Sequence, residues 1–136
     1  MYYIYFIMKN NFFKLLEYLY YFSLVMLFIL YLFPGSLLGF FLYNDAGQQP
    51  NLVNNPIGTS INHLFFFIYL STLSFVARLK NKMIINSLSF LFFISILLEF
   101  LHYVIPNRAF EYYDLFANCA GVATIFFFSK LISTKK

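Results

Sequence analysis

Long apolar runs, interrupted at a few polar points, make up most of the chain. They cover about residues 15–33, 61–79, 83–105 and 114–132. A helix needs about 20 such residues to cross the hydrocarbon core of a bilayer, so the pattern predicts four membrane-spanning helices. Pro34-Gly35 stops the first run and Pro106 the third, since proline cannot continue a helix. The segment 34–60 between the first two runs opens with an apolar stretch, Ser36 to Tyr43, suited to the membrane interface. Its remainder is polar and broken by Pro50 and Pro56. A plain connector is the simpler reading of this loop, and a lid over an outward-facing site is the other. Met1 to Ile7 is too short to span and lacks the basic lead-in and cleavage site of a secretory signal. Met8, followed by Lys9, Asn10 and Asn11, reads as an equally good translation start.

Composition narrows the class. Hydrophobic residues are 62% of the 136 and charged residues 10%, against about 45–50% and about 25% in soluble domains. A soluble domain of this size could not bury so much apolar surface, and a disordered chain would be far more polar. The lone cysteine, Cys119, leaves no intramolecular disulfide framework. The expected architecture is therefore an all-α integral membrane protein, one domain over residues 1–136, folded as a four-helix bundle.

Charge sets the expected orientation. Eight of the nine basic residues (Lys9, Lys14, Arg78, Lys80, Lys82, Lys130, Lys135 and Lys136) fall on one side if both termini lie inside. Lysine and arginine near helix ends favour the cytoplasmic side, so both termini are expected there, with Arg108 alone outside. No basic cluster lies on a soluble element, which argues against a nucleic-acid partner.

The polar residues within the spans crowd toward the outer end. Glu99 and His102 are three apart, on one face of the third span, with Ser95 one turn inward. Asp114, Asn118 and Gly121 share a face of the fourth span, and Ala117 with Gly121 forms a small-xxx-small pair for close helix packing. His63 heads the second span, above Ser71 and Ser74, and Arg108 occupies the short turn from which it could reach Glu99 or Asp114. Ionisable groups in a membrane are costly and usually face the bundle interior. These positions therefore predict a ligand-binding polar cavity lined by His63, Glu99, His102, Arg108, Asp114 and Asn118.

The chemistry stays open at this point. Glu99, His63 and Asp114 are the candidates for proton transfer if a reaction is catalysed. His63, Glu99, His102 and Asp114 are also acceptable metal-ligand types. Because they come from three helices without a dense motif, neither a metal nor another cofactor is expected. Cys119 reads as a small packing residue.

Glu99-Phe100-Leu101-His102, Pro106-Asn107-Arg108 and Asp114-Leu115-Phe116-Ala117-Asn118-Cys119-Ala120-Gly121, with His63 heading an earlier span, together resemble the VanZ-like family of small membrane proteins. His102 stands where that family usually has glutamine. The resemblance covers roughly residues 60–128. It implies a bacterial cytoplasmic-membrane protein, and the family's founding member is associated with low-level tolerance of teicoplanin, an antibiotic acting on cell-envelope precursors. The implied partner is a membrane lipid or lipid-linked envelope precursor, bound or modified at the outer site. A non-catalytic scaffold, paired with another membrane protein or a second copy of the chain, is the alternative. A transporter fits less well, because no internal repeat is evident and the polar groups avoid the midplane.

Overall fold

A computed structural model describes residues 2–50, 58–80, 82 and 84–133. Among these residues five α-helices form: α1 (Tyr2–Leu32), α2 (Leu37–Tyr43), α3 (Ser60–Lys80), α4 (Leu88–Leu101) and α5 (Tyr112–Ser133), with a 3-10 turn at Ile84–Asn86 before α4. No strand occurs among the described residues. Three helical segments, Asn10–Leu32, Ser60–Leu79 and Tyr112–Ile132, are long and apolar enough to cross a membrane. The expectations for Met1, for the loop at 51–57, for the start of the third span at Met83 and for Lys135 and Lys136 lie outside the described residues.

The elements depart from the expected boundaries at two places. Helix α1 begins at Tyr2, because nothing between Tyr2 and Lys14 breaks helical geometry. Helix α4 is 14 residues long, about 21 Å at about 1.5 Å per residue, so it is shorter than the expected span over 83–105. Its start is fixed by Ser87, whose side chain accepts the Phe90 amide as an N-cap. At its other end the amides of His102, Tyr103 and Val104 each bond the carbonyl three residues back. These tighter turns use up the terminal carbonyls before Pro106 and Asn107, which takes a left-handed φ of 57°.

The four longer helices share one core. Tyr20, Leu24 and Leu27 of α1, Phe67 and Leu70 of α3, Leu91 and Leu98 of α4, and Val122 of α5 are all buried in it. Tyr20 donates its hydroxyl to the Ile85 carbonyl, and Ser23 bonds the Tyr69 hydroxyl at 3.0 Å, which ties the far end of the bundle together. Gly121 sets the approach of α5 to α3: a Cβ there would lie 2.8 Å from the Leu64 carbonyl oxygen and 2.8 Å from the Phe67 Cβ. Outward, the helices present large apolar side chains such as Phe22, Phe93 and Phe127. So extensive an apolar exterior suits acyl chains rather than water.

In its described part the 34–60 loop is folded back on itself. Ser36 caps α2 by accepting the Gly39 amide, and its own amide bonds the Ala46 carbonyl at 2.7 Å. The Gln48 carbonyl packs where a Gly39 Cβ would stand. The chain is thereby turned back so that Asn62 donates to the Pro50 carbonyl at 2.7 Å. Residues 45–50 consequently lie over the start of α3.

Candidate functional site

The C-terminal part of α1, the start of α3, the end of α4 and the start of α5 meet around one buried polar network. Tyr31 is its hub. Its hydroxyl donates to Asn118 Oδ1 at 2.9 Å and lies 2.6 Å from His63 Nδ1. A phenol has one proton, so with Asn118 as acceptor the His63 Nδ1–H donates to the Tyr31 oxygen. The ring of Tyr31 also stacks on that of His102, with centroids 5.4 Å apart.

Two carboxylates close the network. Asp114 Oδ1 accepts the Ser60 hydroxyl, and Asp114 Oδ2 lies 3.4 Å from His63 Nε2. Glu99 is fully buried, and its Oε1 accepts from His102 Nδ1 and from the Glu111 amide, each at 3.2 Å. Its second oxygen, Oε2, has no hydrogen-bond partner, and neither does His102 Nε2. Buried polar atoms nearly always find partners, which makes this concentration of unused atoms unusual.

Arg108 departs from the expected pairing. Rather than bonding Glu99 or Asp114, it donates from Nη2 to the Leu30 carbonyl at 2.6 Å and from Nε to the Phe33 carbonyl at 3.4 Å. The guanidinium thus satisfies carbonyls at the C-terminus of α1, where the helix dipole also favours a cation. Burial pushes Arg108 below its ordinary pKa while Tyr31, Glu99 and Asp114 pull it back; it stays charged. Glu111, at the rim, is pushed up by burial and then by the charges of Asp114 and Glu99.

A cavity of about 350 Å³ adjoins the network. Leu30, Leu37, Leu38, Phe65, Phe66 and Tyr69 supply much of its wall, and Gln49, Asn62, His63 and Arg108 bring polar groups to it. Gln49 reaches His63 Nε2 at 3.2 Å from the folded-back loop. At the same end, Phe100, Tyr103 and Phe110 form a stacked cluster near the exposed Tyr112 and Tyr113, as aromatic side chains do at a membrane interface.

The structure therefore brings His63, Glu99, His102, Asp114 and Asn118 into one network, with Arg108 of the α4–α5 turn beside it, bonded to the end of α1. Sequence reasoning missed Tyr31, Ser60 and Gln49. Tyr31 gave no signal among 12 tyrosines, although its place in the last turn of an apolar run matches the depth of His63. Ala117 and Gly121 lie on α5, where Gly121 meets α3. No family model, curated protein or solved structure matches the chain.

Proposed function

We propose that this is a VanZ-like membrane protein whose outward-facing site binds the polar headgroup of a lipid or lipid-linked envelope precursor. In this reading α4, extended by its flanking turns, crosses with α1, α3 and α5. Both termini then lie in the cytoplasm of a bacterial cell, and the network sits beneath the outer surface. The carrying observation is the cavity of about 350 Å³, whose largely apolar wall reaches His63 and Arg108. An acyl chain suits the wall, and an anionic headgroup suits a guanidinium with donors left over after its two carbonyl bonds. His63, Glu99 and Asp114 are the groups available if the bound molecule is also modified.

One observation favours a scaffold instead: Arg108 already caps α1, a role that holds helices together without any ligand. The two readings separate in native mass spectrometry of the detergent-purified protein. Phosphatidic acid should be retained in preference to diacylglycerol, and Arg108→Ala, with its folding followed by thermal unfolding, should remove that preference. Equal retention of both lipids by the wild-type protein contradicts the headgroup reading.

A further inference from the structure

The residues His63, Glu99 and Asp114 each present a ligand atom, and the three atoms lie within 4.8 Å of one another with all three residues buried. Because Tyr31 donates to Asn118 Oδ1, His63 holds its proton on Nδ1 and turns the Nε2 lone pair toward Asp114. Glu99 contributes two carboxyl oxygens, of which Oε2 has no hydrogen-bond partner although the residue is fully buried. Lone pairs thus converge from three helices in an apolar surround, where polar atoms left without partners are most costly.

We propose that this cluster is a binding site for a divalent transition-metal ion of the zinc type, held by His63 Nε2 and the carboxylates of Glu99 and Asp114. Charge supports the assignment: one doubly positive ion neutralises two carboxylates and leaves the neutral imidazole as third ligand. Donor chemistry sets the class, since imidazole suits zinc and its neighbours while magnesium and calcium prefer oxygen alone. Three protein ligands leave a coordination position open, the arrangement of zinc sites that bind a further molecule. Ligand distances of about 2.0–2.2 Å require ligand atoms that now lie within 4.8 Å of one another to draw closer together.

The surrounding bonds match what holds metal ligands in place. A ligating histidine commonly donates its other N–H to a fixed acceptor, and ligating carboxylates are themselves hydrogen-bonded. Here Tyr31 receives the His63 Nδ1–H, Ser60 bonds Asp114, and His102 with the Glu111 amide bonds Glu99. The Gln49 amide faces the same His63 lone pair from the exposed loop and would swing aside as the ion enters. His63 is shared with the wall of the neighbouring cavity, whereas Glu99 and Asp114 do not line it. The site was not legible as a motif, because its ligands are 36 and 15 residues apart.

The test is a titration of the purified, chelator-treated protein with Zn²⁺, and with Co²⁺ as a spectroscopic stand-in. One equivalent of Zn²⁺ should bind in the presence of excess Mg²⁺. Co²⁺ should give the visible bands of a low-coordinate nitrogen and oxygen site without thiolate charge transfer. His63→Ala and Glu99→Gln should each weaken binding by more than about 100-fold, and Tyr31→Phe by about 10-fold, in the range for outer residues. Cys119→Ser should leave it unchanged. Wild-type protein that binds no stoichiometric Zn²⁺ overturns the proposal, whatever the variants do. So does undiminished binding in folded His63→Ala and Glu99→Gln. If either variant fails to fold, X-ray absorption of the wild-type zinc complex decides: one imidazole with oxygen neighbours supports the site, and sulfur or several imidazoles overturn it.

Discussion

Glu111 shows how the buried charges reach the protein's edge. Its carboxyl is exposed, yet burial of part of the side chain and the nearby Asp114 and Glu99 raise its pKa. A raised value means that the folded protein binds this proton more readily than the unfolded chain does. The resulting stability is fully present below the ordinary glutamate value of about 4.3 and is lost as pH rises through the raised one. Glu111→Gln removes this dependence. The melting temperature of the variant relative to wild type should therefore increase between about pH 4 and about pH 7, as measured by thermal unfolding in detergent. A constant difference across that range would show that Glu111 does not feel the network. At this scale much of the site was legible, because an ionisable side chain in an apolar run is expensive enough to require a reason. His63, Glu99 and Asp114 announced themselves in that way. Tyr31 did not, since a phenol in a membrane helix costs little and tyrosine is abundant here. The partners of Arg108 are backbone carbonyls, which leave no trace in a sequence.

Between elements, the tightest fit is that of α5 on α3. A methyl group at Gly121 would stand 2.8 Å from a backbone carbonyl oxygen of α3, and a helix backbone cannot yield as a flexible side chain can. Gly121→Ala should destabilise the protein by about 1–3 kcal/mol, the usual cost of overpacking. Because Asp114 and Asn118 ride on the same helix, it should also loosen the network. Chemical denaturation in mixed micelles checks the first effect. A neutral or stabilising result would mean that α3 and α5 are farther apart than they stand here. Helix extents were only partly legible. The apolar runs that became α3 and α5 were bounded within one or two residues, since length and hydropathy define such helices almost alone. The shortening of α4 was hidden, because it depends on the Ser87 cap and on tight turns through Val104, not on how apolar residues 102–105 are.

Across the whole molecule, polar groups from four helices gather at one end of an apolar bundle, the end away from most of the lysines and arginines. Charge at the loops and depth of the network point the same way: Arg108 is alone among basic residues near the site, while Arg78 and Lys82 flank the opposite end. The aromatic cluster at the α4–α5 turn adds an interfacial marker on the site's side. Labelling of single cysteines by a membrane-impermeant maleimide in intact cells, in a Cys119→Ser background, tests this arrangement most directly. Cysteines replacing Asp45 and Asn107 should be modified without permeabilisation, and one replacing Lys82 only after it. Modification of position 82 in intact cells, or of all three positions from the same face, would contradict the account.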